Sequence, residues 1–315
     1  MKPDRFDVVG IGCCAYDRMF RVEKMPTPDN IVQAFDTAES SGGTTANSLA
    51  TISLLGARTA LITAVGDDIE GKKLIADLNR DGVNTDHIII KNGCSSAKSE
   101  IFVDNDRKRT IIFYGGDALF SLNEREINWN IIEKAAVYYT DLYPPEPCLK
   151  GAELAKEKCM KIVFDMQAPL SILSTKGITD KYIKRIFELT DIFFSGKEVL
   201  VDYMNASNVE SALKTSYRNF PDKIIIATAG SEGSLIGEGN HIFHIPSYRV
   251  PVIDTTGAGD VHHGAFVFAH YLQNYSLEKS ARFASIAAGL NCTKLGARTG
   301  VPDLNVIEDL LTNFH

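Results

Sequence analysis

The chain has 315 residues, 44% of them hydrophobic and 23% charged, with a formal net charge of −7 and a pI near 5.6. That is enough apolar material for one large α/β domain or two smaller ones, and the acidic balance argues against nucleic acid or an anionic membrane as the main partner. The cysteines at 13, 14, 94, 148, 159 and 292 form no C-x-x-C pair, which argues against a disulfide framework or a zinc site. No stretch approaches the roughly 20 apolar residues that span a bilayer, and the polar residues 1–7 lack the apolar region of a signal peptide, so a cytoplasmic chain with reduced thiols is expected.

Strand patterns alternate with helix patterns along the chain. Residues 6–11 (FDVVGI) read as a buried strand, 45–55 as a helix ended by Gly56, and 59–65 (TALITAV) as a second strand ended by Gly66, Asp67 and Asp68. Residues 71–81 are amphipathic, with Leu74, Ile75 and Leu78 on one face, and stop at Gly82. Strands follow at 137–142, 161–164 (KIVF), 192–194 and 223–228 (KIIIAT). A terminal hairpin of 233–236 and 241–245 about a turn at 237–240 comes next, then helices at 261–272 and 277–295. Continuous apolar strands separated by helices imply a mostly parallel central sheet covered on both faces.

Two regions break the alternation. Residues 15–35 and 99–114 carry short strand patterns, the first broken by Pro26, Thr27, Pro28 and Asp29, the second folded about Asp104-Asn105-Asp106. They read as a small β lid, over approximately 13–40 and 95–116 of a single 1–315 domain, or as ordinary surface hairpins. Pro144-Pro145-Glu146-Pro147 is a stiff loop just after a strand, a usual place for an active-site loop in α/β sheets.

The chemistry concentrates in Asp254-Thr255-Thr256-Gly257-Ala258-Gly259-Asp260. Small residues let the backbone curl so that several N–H groups aim at one spot, and the following helix puts its positive end there, which makes an anion site. A carboxylate at that spot would compete with the anion, so Asp260 reads as a base beside a phosphate. The plainer alternative is a helix cap whose Asp satisfies backbone donors. No Lys-Ser/Thr follows the glycines, so the turn is not a Walker A loop.

Other segments carry weaker signals. Ser41-Gly42-Gly43-Thr44-Thr45-Ala46-Asn47 allows close approach to a ligand at a helix start, and the Asn47 amide both donates and accepts, which suits adjacent ligand hydroxyls. Asp17 follows the first strand and can accept from two neighbouring hydroxyls, or is a solvated strand-end residue. Thr228-Ala229-Gly230-Ser231-Glu232-Gly233 is a Gly-rich turn after an apolar strand. His262 and His263 adjoin Asp260, but positions 260 and 262 diverge on a helix, so both read as helix-packing or partly exposed. Lys98, Arg107, Lys108 and Arg109 cluster near the second hairpin, as a solvated turn or as a grip on an acidic sugar. Phe20, Phe35, Phe102 and Phe113 would stack on a base or pack the lid.

Taken together, DTTGAGD and the Gly42-Gly43 pair followed by Asn47 resemble the ribokinase-like (PfkB) carbohydrate kinases, over nearly the whole chain from residue 6 to about 302. The resemblance implies a ribokinase-like α/β fold with a β lid, and transfer of the ATP γ-phosphate to a sugar hydroxyl. It implies that Asp260 deprotonates the acceptor, that Gly257, Ala258 and Gly259 hold the developing charge, and that Asp17, Gly42, Gly43 and Asn47 bind the acceptor. Thr228, Gly230 and Gly233 would approach the nucleotide. Ser195-Gly196-Lys197-Glu198 stands where the family usually has Asn-x-x-Glu, so Glu198 would orient Mg²⁺-bound water, or is a first-turn acid favoured by the helix dipole, while Ser195 departs from the pattern, as His262 departs from a common Phe. Gly296-Ala297-Arg298-Thr299-Gly300, with Asp254 and Thr256, matches segments that hold a monovalent cation, such as K⁺, in several relatives. The implied partners are a small sugar and ATP, and the lid implies a homodimer. A nucleoside kinase of the same fold and a non-catalytic sugar- or nucleotide-binding relative remain open.

Overall fold

The computed structural model describes residues 5–106, 108–238, 241–312 and 314; residues 1–4 of the polar amino-terminal stretch, Arg107 of the basic cluster and 239–240 of the hairpin turn lie outside them. β1 (Val8–Ile11) is buried along its length and leads into β2 (Ala15–Val22), which pairs with β3 (Ala34–Gly42) before the chain returns as α1 (Thr44–Leu54). β4 (Thr59–Gly66), α2 (Ile69–Arg80) and β5 (Ile88–Lys91) follow, then a second excursion as β6 (Lys98–Val103) and β7 (Arg109–Tyr114). Next come β8 (Val137–Thr140), α3 (Pro145–Glu157), β9 (Lys161–Met166), α4 (Leu170–Ser174), α5 (Asp180–Leu189) and β10 (Ile192–Gly196). α6 (Lys197–Tyr203), α7 (Val209–Asn219) and β11 (Ile224–Thr228) lead to the hairpin of β12 (Ser234–Glu238) and β13 (His241–Ile245). The chain closes with α8 (Ala258–Val267), α9 (Leu277–Asn291) and α10 (Leu304–Leu311).

The large sheet has the order β13-β12-β11-β10-β9-β8-β1-β4-β5 and is parallel from β11 to β5. Side chains alternate across it: Ile162 and Phe164 point into the layer of α3, α5, α6 and α7, while Val163 points into that of α1, α2, α8 and α9. Burial on both faces explains why these strands show no polar alternation. On the first face Phe164, Phe187 and Phe193 pack with centroids 4.3 to 5.9 Å apart, a cluster that anchors β9 and β10 to α5.

The two excursions join in one four-stranded sheet, β3-β2-β6-β7, whose central β2–β6 pair is parallel. Strands far apart in sequence therefore build one lid, which decides against separate surface hairpins. Its inner strand β2 is largely buried and its edge strand β7 largely exposed, while β6 alternates between buried and half-buried positions as a strand covered on one face does.

Three elements differ from the sequence reading. β5, with the short run IIIK, is too brief for periodicity to mark; pairing with β4, at Thr63 opposite Ile88, makes it a strand. The expected helix at 261–272 begins earlier, at Ala258, so Gly259 and Asp260 form its first turn; beyond Val267 it widens into a π-helical turn at Phe268–Leu272. The expected helix at 277–295 ends at Asn291.

Candidate active site

The carboxyl ends of β1 and β8 to β11 lie along one edge of the sheet, where an open α/β fold binds its ligands. Two helices bring their first turns together there. α8 crosses α1 at Gly264, where a Cβ would sit 2.5 Å from the Ser48 carbonyl oxygen, so only glycine lets the helices close. As a result Asn47 Nδ2 donates to Asp260 Oδ2 at 2.7 Å, and Ser48 Oγ donates to the Asp260 carbonyl at 3.1 Å. Burial pushes the Asp260 carboxyl up to about 7; the Asn47 donor opposes it, Asp165 and Asp17 add to it, and His263 opposes it. A carboxylate poised there suits proton abstraction near neutral pH.

The turn before Asp260 is set by Gly257, the N-cap of α8, at φ 71°. A side chain there would collide with the Ala297 carbonyl, and the left-handed conformation would strain it. Of the first N–H groups of α8, that of Ala258 donates to the Thr255 carbonyl at 3.3 Å, and the next ones in the first turn have no intrahelical acceptor and lie at the positive end of the helix dipole. Asp254 fixes the turn from behind, accepting from the Thr256 N–H through Oδ1 and the Gly296 N–H through Oδ2, both at 2.9 Å. Thr256 Oγ1 is buried beside this clamp with no hydrogen-bond partner, an orphaned oxygen that fits a monovalent cation. From the lid, Arg109 Nη1 donates to the Thr255 carbonyl at 3.4 Å, bringing one member of the basic cluster against the turn; Lys108 instead pairs with Asp106.

Of the residues expected to bind an acceptor, Asp17 is buried on β2, and burial pushes its carboxyl up to about 6 against a Ser99 hydrogen bond and the Arg298 charge. Gly42 leaves room for that carboxylate, since a Cβ there would run into it. Gly43, at φ 94°, caps α1. Asn47 is buried, and its amide also accepts from Arg298 Nη1 at 2.8 Å through Oδ1. Asp17, Gly42, Gly43, Asn47 and Asp260 thus share one end of the cleft.

The residues expected near a nucleotide line the ends of β10 and β11. Thr228 closes β11 and donates to the Ser195 carbonyl at 3.4 Å; Gly230 and Gly233 turn the backbone at φ 56° and 98°. A Cβ at Gly196, Gly230 or Gly259 would meet no atom within 4 Å, so the backbone at all three faces open space, which fits a polyphosphate. Ser195 is fully buried, its hydroxyl donating to the Gly196 carbonyl, while Glu198 is exposed on the first turn of α6. Among the described residues no group of three or more His, Cys, Asp or Glu could hold a metal directly. A lone exposed Glu198 fits Mg²⁺ carried by phosphates and water, the usual manner of that ion.

Several polar residues here escaped the sequence reading. Asp141, just beyond β8, accepts from the backbone N–H of Cys13 and Tyr143 at 3.0 Å and of Thr45 at 3.3 Å. Burial pushes its carboxyl up to about 7, and it ties the end of β1 to the start of α1. Asp165, inside the apolar run of β9, accepts from Tyr139 Oη at 2.7 Å, lies 2.7 Å from His263 Nδ1 and also accepts from the Gln167 amide. His263 therefore pairs with Asp165 rather than Asp260. His262 is buried with both ring nitrogens unpartnered, and burial pushes it down to about 3. An isolated Asp in an apolar run was the available signal for Asp141 and Asp165. In the lid, Phe20 and Phe102 stack on each other at 5.4 Å, and Phe113 meets Tyr143 edge-on at 6.3 Å.

Residues 5–304 match the pfkB family of carbohydrate kinases, and the chain belongs to that family. Its members are phosphotransferases that use an alcohol as acceptor, and so is this chain. The ribokinase of Dictyostelium discoideum is 28% identical over 328 residues, covering 96% of this chain and 99% of the relative. A nucleoside kinase of Methanothermobacter thermautotrophicus is 26% identical over 303 residues, covering 96% and 94%. The Arabidopsis thaliana ribokinase, solved with ribose and ATP, superposes with a TM-score of 0.80 over 98% of this chain and 99% of that one at 21% identity, a likeness of fold. The expected ribokinase-like architecture with its β lid is therefore the one found.

Proposed function

We propose that the protein transfers the γ-phosphate of ATP to a hydroxyl of a sugar or sugar-like acceptor. Asp17, Gly42, Gly43 and Asn47 hold the acceptor with one hydroxyl against Asp260. Asp260 takes the hydroxyl proton as the oxygen attacks the γ-phosphorus; the bond from that phosphorus to the β–γ bridging oxygen breaks, and ADP leaves. The N–H groups of the 257–260 turn receive the charge on the transferring group, and the lid excludes water. Thr228, Gly230 and Gly233 approach the nucleotide. Glu198 would hold Mg²⁺ through water, an ion that neutralises polyphosphate charge when bound, and Asp254 and Thr256 would hold K⁺.

The observation that carries this reading is the 2.7 Å contact that sets Asp260 between the first turns of two helices, in front of an outward-facing backbone turn. A nucleoside is a second acceptor class, favoured by the likeness to the Methanothermobacter nucleoside kinase. We take residues 1–315 as one functional unit. The exposed lid residues Phe35, Ile111, Ile112 and Tyr114 support a homodimer through the lid. The six described cysteines are all free, which supports a reducing compartment such as the cytoplasm, and no helix among the described residues is long and apolar enough to cross a membrane.

The test is ADP release with Mg-ATP across neutral sugars, acidic sugars and nucleosides, with Asp260→Asn as control. A hit lost in the variant supports the kinase and names the acceptor class. ATP and sugar binding by calorimetry, with no turnover on any acceptor, would favour a binding protein instead.

A further inference from the structure

We infer that Arg298 is a positioning residue for phosphoryl transfer, fixing Asn47 so that its amide nitrogen faces Asp260; this rests on the reading of Asp260 as the base. Arg298 follows α9 and is 6% exposed. Its Nη1 donates to Asn47 Oδ1 and to the Ser41 carbonyl, each at 2.8 Å, and its Nε donates to Asp81 Oδ2 at 2.6 Å. A guanidinium has donors only, so the end of the Asn47 amide that meets it must be the oxygen. The nitrogen is thereby turned to Asp260, 2.7 Å away. An amide without that restraint is free to present its oxygen to the carboxylate, which repels it. The second N–H of Asn47 stays free to serve an acceptor hydroxyl.

Arg298 is itself fixed. Asp81 pairs with it just beyond α2, and its loop is pinned to α9 by Asn291, which donates to the Ala297 carbonyl and accepts from the Gly300 N–H, both at 3.0 Å. The Ser41 contact lies at the root of the lid strand β3, so one guanidinium joins the lid's attachment to the base. The groups facing Asp260 are Asp17 from β2, Asp165 from β9, His263 from α8, Tyr139 just behind it on β8 and Cys13 from the end of β1. Burial pushes Tyr139 and Cys13 far above the working range, whereas Asp17 titrates near Asp260 and is also held down by Arg298. The readout must therefore be specific to Asp260.

The experiment follows the Asp260 carboxyl by ¹³C NMR titration, alongside turnover against pH, in wild type, Arg298→Met, Arg298→Lys and Asn47→Ala. Loss of a hydrogen bond to a charged group should raise the Asp260 midpoint by about one pH unit in Arg298→Met, with roughly tenfold lower turnover at about pH 6.5 and recovery at about pH 9. KM for ATP should stay unchanged. Arg298→Lys, also donor-only, should restore most of the midpoint. Asn47→Ala should show the same shift, and adding Arg298→Met to it should shift nothing more. An unmoved Asp260 midpoint in Arg298→Met or Asn47→Ala, or turnover lost equally at every pH, would overturn the inference. If Arg298→Met does not fold, the Lys and Asn47→Ala variants decide. The titration needs no activity, so a moved midpoint in a protein that phosphorylates nothing would sink the kinase reading and leave the amide's positioning standing.

Discussion

Replacing Asp260 with asparagine separates what the carboxylate does for chemistry from what it costs the fold. Burial is the main reason its carboxyl stands at about 7 rather than the ordinary 3.8. A carboxyl whose pKa is raised in the folded state contributes stability that is fully present below the unfolded value and lost as pH rises through the folded one. Across that window the difference is about 4 kcal/mol, at 1.36 kcal/mol per pK unit. Asparagine keeps the volume and an acceptor oxygen for Asn47 but never ionises. The variant is expected to exceed wild type in stability by up to about 4 kcal/mol at about pH 8, with the gap closing near pH 4, while turnover falls about 10²–10⁴-fold. Paired urea melts across that range measure the first, and a coupled ADP assay the second. Equal stability at high pH, or a gain independent of pH, would refute the account of the buried base.

Other outcomes follow from the same geometry. Gly257→Ala places a side chain at φ 71° against the Ala297 carbonyl, so it should lose at least about 1–2 kcal/mol in thermal melts and much of its turnover. Gly264→Ala should push α8 from α1; a displacement of about 1 Å at Asp260 would cost about 10²-fold in kcat, seen in steady-state kinetics. Thr256→Val removes the orphaned hydroxyl, so it should gain about 1 kcal/mol of stability without K⁺ and lose any activation by K⁺. kcat/KM should rise with pH through a half-maximum at about 7 to a plateau above about 8, because Asp260 must be ionised to act, with Asp17 adding curvature near 6.

The strands and the 254–260 turn were legible because each is written locally. Runs such as VVGI and KIVF need no distant partner to be recognised as buried, and DTTGAGD carries its own backbone freedom. The lid was only half legible: each hairpin showed its turn, but the β2–β6 pairing that joins them spans the intervening body. What could not be read was the wiring. Arg298 reads in sequence only as part of the 296–300 cation-loop match, and its partners come from two distant segments, Ser41 and Asn47 from 41–47 and Asp81 from beyond α2. Asp165 and His263 lie 98 residues apart, and only packing of α8 on the sheet brings them together. Ser195 and His262 stood out as departures from the family pattern, and the structure buries both.

The central claim is that Asp260 is the base for phosphoryl transfer and not a cap for α8. Single-turnover transfer from Mg-ATP to the acceptor identified in the panel, with both ligands saturating and their binding checked by calorimetry, tests it most directly. The account predicts that Asp260→Asn binds both ligands as wild type does and transfers about 10²–10⁴-fold more slowly. Transfer within tenfold of wild type would contradict it.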